Sequence, residues 1–148
     1  MNAVVLGLDG SKGSQAAARW TTGIAAETGA HVVAVNVLPR SELWTLGALQ
    51  VDAKAIVDEL KALLEGAWTA PLRKAGVECA TRLVRGDPAV ELLRIATGLD
   101  ATMLVVGAKS HRSVHDLVVG GTVHKIINRS AVPVVLVPVT PRRTARAR

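Results

Sequence analysis

Apolar and polar positions fall in blocks along this chain, and the blocks have two periods. Ala3 to Leu8 (AVVLGL), His31 to Leu38 (HVVAVNVL), Met103 to Val106 and Val134 to Val137 are short continuous apolar runs. Such runs suit parallel strands covered on both faces. Val77 to Val84 alternates more and reads as a third, partly exposed strand. Between the runs, apolar residues recur at helical spacing. Ala17, Trp20 and Ile24, with Thr28 next in the series, set the rhythm of a first helix that Ser11 or Ser14 caps and Gly29 ends. Ile56, Leu60, Leu63, Leu64 and Ala67 form the inner face of one long helix predicted over 51–74, with Pro71 as a point of shortening or kinking and Gly76 as its stop. Asp87 caps, and Pro88 opens, a helix that runs from Ala89 to Thr97 and ends at Gly98. Thr122, Val123, Ile126, Ile127 and Ser130 mark the last helix. Arg40 to Leu49 reads as a loop, and its Trp44 is assigned to packing rather than to a lid.

Strand and helix thus alternate four times and the chain closes on a strand. Right-handed crossovers turn that order into an α/β fold: a single-domain, open five-stranded parallel sheet with helices on both faces. With the first three strands built outward on one side and the last two on the other, the strand order is 3-2-1-4-5. Strands one and four then meet at the switch point, where ligands of such sheets bind at the strand carboxyl ends. Asp9 and the loop after Gly107 come together there.

Composition changes this picture little. The 148 residues make one domain, and the absence of Phe and Tyr leaves a core of Val, Leu, Ile and Ala. Cys79 is the sole cysteine, so no internal disulfide forms, and it is read as inert. No apolar run approaches the roughly 20 residues of a bilayer span, and no signal segment opens the chain, so the cytoplasm is the expected compartment and no membrane role is expected. Of the net charge of +6, Arg142, Arg143, Arg146 and Arg148 supply four, leaving +2 for the rest. A folded domain is therefore expected over 1–139 and a basic, disordered tail over 140–148. The tail has no aromatics for base stacking, which disfavours nucleic acid.

The loop between the fourth strand and the last helix runs from Gly107 to Gly120-Gly121 and carries Lys109, Ser110, His111 and Arg112. Glycine edges, basic side chains and a helix N-terminus together make a natural anion site. The first strand, by contrast, leads into Gly7-Leu8-Asp9-Gly10-Ser11-Lys12-Gly13, which lacks the G-x-G-x-x-G spacing and sets a carboxylate where a pyrophosphate would lie. Asp9 suits ribose hydroxyls or an adenine amino group; its plainer role is a turn or helix-capping aspartate. No catalytic pair has motif spacing, and no serine lies in a nucleophile elbow. His111, His115 and Asp116 share one loop and are read as solvated groups or phosphate contacts rather than metal ligands. His31 and His124 are read as structural.

The chain resembles the universal stress proteins over nearly its full length, in VVLGLDGS with Asp9, GDPA at Gly86 to Ala89, LVVGAKS, and SAVPVVLVP. That family's nucleotide-binding pattern is G-x2-G-x9-G-[ST]. Gly107 and Gly120 match its first and third glycines, Ser110 stands at the second, and Gly121 replaces the hydroxyl residue with Thr122 one place late. The resemblance implies an adenine nucleotide (ATP with Mg, AMP or cyclic AMP) bound by Gly7 and Asp9, with Val37 and Val106 lining the base. The backbone of Gly107 to Ser110, with Lys109, and of Gly120, Gly121 and Thr122 would cradle the phosphates. Ser110 adds a side chain where backbone approaches phosphate, and Gly121 loses a hydroxyl donor, which weakens or removes ATP binding or favours fewer phosphates. The resemblance also implies a homodimer through Val134–Val137, since a bare apolar edge strand needs cover. The expected function is a nucleotide-binding stress sensor or regulator without turnover; the alternative is a dimeric interaction module of the same fold whose degenerate loop binds no ATP. A slow ATP hydrolase is disfavoured for want of a residue to activate water.

Overall fold

The computed structural model describes residues 2–109 and 120–139. Five parallel strands, β1 (Ala3–Gly7), β2 (His31–Leu38), β3 (Cys79–Arg85), β4 (Met103–Gly107) and β5 (Val134–Val137), form one sheet in the order β3-β2-β1-β4-β5. Strand order and class are those read from the apolar runs. β1 sits at the centre with Val5 between Val33 of β2 and Leu104 of β4. All three of these side chains are buried on one face, where α5 (Pro88–Gly98) and α6 (Gly121–Arg129) pack. Val4, Leu6, Val32 and Ala34 alternate to the other face, against α1 (Lys12–Thr28).

α1 is bound to the sheet by small residues. Ala17, Thr21 and Ala25 form its buried stripe, and Trp20 is 37% exposed. The expected rhythm through Trp20 was therefore set one position off. The cause is close packing: alanines bring this helix nearer to the sheet than an indole ring would allow. At its start the two backbones nearly touch. A Cβ placed on Gly13 would lie 2.0 Å from the Ala108 carbonyl oxygen, and one on Gly107 would lie 2.1 Å from the Gly13 carbonyl carbon.

Two expectations between β2 and β3 are corrected. Arg40–Ala48 is a helix, α2, rather than a loop. None of its residues is buried, so it has no apolar stripe to show in the sequence, and Trp44 is 80% exposed rather than packed. The long helix over 51–74 is broken into α3 (Ala53–Glu65), a 3-10 turn (Ala67–Thr69) and α4 (Ala70–Lys74). The break falls at Gly66, not at Pro71, which occupies the first turn of α4 where a missing N–H costs nothing. Side chains take up the carbonyls that the break frees. The Thr69 hydroxyl donates to Leu64 O at 2.8 Å, and the Arg73 guanidinium donates to Glu65 O and Gly66 O. Ala67, assigned to the inner face, is exposed.

Candidate functional site

The carboxyl ends of β1, β2 and β4 open into a crevice of about 740 Å³, within the range of small-molecule sites. Gly7 and Asp9 line it from the end of β1, Val37 from β2, and Val106, Gly107 and Lys109 from β4 and the residues after it. Gly120, Gly121 and Thr122 close it at the start of α6. These nine candidates from the sequence thus stand around one cavity. Ser110 lies outside the described residues, as do His111, Arg112, His115 and Asp116 and the segment 140–148.

Four helices of eight residues or more present their N-termini near this crevice, and a carboxylate stands at three of them: Asp9 at α1, Asp87 at α5, and Glu42 in the first turn of α2, which opens at Pro39 without a side-chain cap. Asp9 Oδ1 accepts the Ser11 N–H at 2.9 Å, and Ser11, the N-cap of α1, takes the Ser14 N–H on its hydroxyl at 3.2 Å. Asp87 caps α5 by accepting the Val90 N–H at 3.1 Å. That N–H, with the Lys125 ammonium 3.6 Å away adding to it, holds the Asp87 carboxyl below the ordinary carboxylate range. α6 differs. Its N-cap is Gly120, and among the described residues no side chain caps it. Among the described residues, therefore, nothing occupies the amides of its first turn, at the positive end of the helix dipole. The Lys109 stem lies over Gly120, its Cε 3.0 Å from where a Cβ would stand, which brings a cationic side chain to the start of α6. Anionic groups entering the crevice thus meet carboxylates at α1, α2 and α5, and, among the described residues, uncapped amides with lysines at α6.

Val37, Val106 and Leu92 give the cavity an apolar wall. The lining residues missed from sequence include Leu92 of α5, Glu42 of α2, Asn36 of β2 and Lys125 of α6. Asn36 left a signal, an amide inside an otherwise apolar strand; Glu42 left none, because α2 was read as a loop. Among the described residues no group of three His, Cys, Asp or Glu side chains is arranged to hold a metal. His31 Nδ1 sits 3.7 Å from Glu78 at the far end of β2, and His124 pairs with Asn128, so neither reaches the crevice. Burial pushes the Cys79 thiol up, away from reactivity. No described helix is long and apolar enough to cross a membrane.

The model of the Universal stress protein family matches residues 1–138. A universal stress protein of Methanocaldococcus jannaschii is 26% identical over 144 residues, spanning 90% of this chain and 80% of that protein. Among solved structures, a universal stress protein in complex with cAMP superposes with a TM-score of 0.71 at 23% identity, covering 94% of this chain and 98% of that one. A universal stress protein from Archaeoglobus fulgidus in complex with dAMP gives a TM-score of 0.67 at 22% identity, covering 93% and 97%.

Proposed function

The chain belongs to the universal stress protein family, and from that premise and the crevice geometry we propose that it binds an adenine nucleotide as a cytoplasmic sensor or regulator, without turnover. The observation that carries the reading is the uneven capping of the helices around the crevice. Carboxylates stand at the N-termini of α1, α2 and α5, so the phosphate goes to the N-terminus of α6, which has no acidic residue in its first turn and lies beside Lys109 and Lys125. The base then lies against Val37, Val106 and Leu92, and the ribose faces Asp9. Relatives of the same fold solved with cAMP and dAMP support an adenine monophosphate as the ligand class. Calorimetric titration with AMP, cyclic AMP and ATP plus Mg tests the reading. Binding of at least one is expected, and no heat with any of them from folded protein would leave the interaction-module reading in its place.

Gly121 offers a gain-of-affinity test. It is exposed, and no atom outside its chain neighbours and its own helix's backbone lies within 4 Å of a Cβ built on it, so a side chain fits. Gly121→Ser supplies the hydroxyl donor that the family pattern has there. The expected result is nucleotide binding tightened about 3- to 10-fold, one hydrogen bond's worth; titration of the variant against the parent reads it directly.

We also propose homodimer formation through the β5 edge. Val137 is buried and Val135 packs against the same cluster facing α1, so a charge on either would test the core rather than the edge. The backbone gives a cleaner test. Pro133 O and Val137 O accept from Leu104 and Ala108 of the β4 segment. In a parallel ladder, alternate residues point the same way, so the Leu136 N–H faces outward. Leu136→Pro removes that outward donor and leaves the β4 ladder intact, and Leu136→Ala, which loses the same side-chain contact with the core facing α5 but keeps the donor, is its control. Sedimentation of the proline variant is expected to show folded monomer; an undiminished dimer would place the interface elsewhere.

A further inference from the structure

Asn36 lies in the buried run of β2 and is only 5% exposed. Its Nδ2 donates to the Leu8 carbonyl at 2.7 Å, and its Oδ1 is buried without a partner among the described residues. The Leu8 N–H donates to Val35 O at 2.8 Å, so β2 holds this residue through both of its peptide groups. Asp9 comes next. Its N–H reaches the Ser14 hydroxyl at 3.4 Å, and its Oδ1 accepts from Ser11 at 2.9 Å.

A strand that needed only to pack would carry an apolar residue at 36, because a buried carbonyl oxygen without a donor is destabilising. The five neighbours from Val32 to Val35 and at Val37 follow that rule. A break in an otherwise consistent pattern is expected where function sets the residue. We propose that Asn36 is a positioning residue for Asp9. By fixing the Leu8 carbonyl it holds the exit of β1 in one conformation, in which one Asp9 carboxylate oxygen stays on the Ser11 amide and the other is left for the ribose hydroxyls. This rests on the reading of the crevice as an adenine-nucleotide site.

The test uses Asn36→Leu, which removes the donor while keeping the branched shape, and Asn36→His, which keeps a ring N–H at the same branch. Asn36→Val, suited to a buried strand, replaces the leucine variant if that fails to fold. Two readouts are taken: amide hydrogen exchange at Ser11 in the free protein, and the affinity ratio between AMP and 2′,3′-dideoxy-AMP. In the apolar variant, Ser11 exchange is expected to quicken about tenfold and the ratio to fall about tenfold, the factor one hydrogen bond supplies. The histidine variant is expected to restore both. Wild-type binding with a ratio and a Ser11 exchange rate unchanged in the folded apolar variant would overturn the role of Asn36 alone. A wild type that binds neither nucleotide would overturn the crevice reading, and this inference with it.

Discussion

Gly107→Ala is expected to destabilise the protein by about 3 kcal/mol or more, at the upper end of overpacking effects, and to lower its melting temperature by roughly 10 °C. The added methyl would lie 2.1 Å from the Gly13 carbonyl carbon, 2.2 Å from its oxygen and 2.6 Å from the Ser14 nitrogen. All three are backbone atoms at the start of α1, so no rotamer change relieves the clash and the helix must move off β4. Gly13→Ala is expected to act alike, since its methyl would meet the Ala108 carbonyl oxygen at 2.0 Å. The pair functions as one contact: two glycines let a helix N-terminus and a strand end meet backbone to backbone. The control is Gly121→Ala, with open space around it, which is expected to leave stability unchanged or raise it by about 0.5 to 1 kcal/mol through helix propensity. Thermal melts of the three variants decide the point, and a Gly107→Ala melt equal to wild type would contradict the packing described.

The second large effect is on binding, and it separates the two roles of Asp9. Asp9→Ala removes both the acceptor for the Ser11 N–H and the charge in the crevice. Asp9→Asn keeps an oxygen for the Ser11 amide, since asparagine makes the same turn, but presents a neutral amide to the ribose. Both variants are expected to weaken AMP binding about 10- to 100-fold, the range for a hydrogen bond to a charged group. Only the alanine variant is expected to lose stability, by about 1 kcal/mol, as for a missing cap. An asparagine variant with wild-type affinity would reduce Asp9 to a turn residue.

The strand order was legible because five apolar runs, separated by helical spacings, admit few right-handed arrangements. The crevice was legible because the resemblance and the switch point select the same two loops. Other features were hidden for physical reasons. α2 buries nothing, so its nine residues show no periodicity to separate helix from loop. Trp20 is large and apolar and fits the spacing, yet alanines hold the closer contact, and hydrophobicity alone does not report how near two backbones come. Gly107 was read as part of the phosphate cradle, and it lines the crevice; its missing side chain also lets Gly13 come close, which the sequence did not show. Asn36 is a polar residue in an apolar run, a signal the sequence reading passed over, and its partner, Leu8, is 28 residues away and became visible only with the fold.

The most direct test of the phosphate position is the set of backbone amide shifts of Gly121, Thr122 and Val123 during titration with AMP and, separately, with adenosine. The account predicts large changes at these three amides with AMP that adenosine does not produce, while Val37 and Val106 respond to both. Phosphate-dependent changes at Val90 or Ser14, with α6 unmoved, would contradict it.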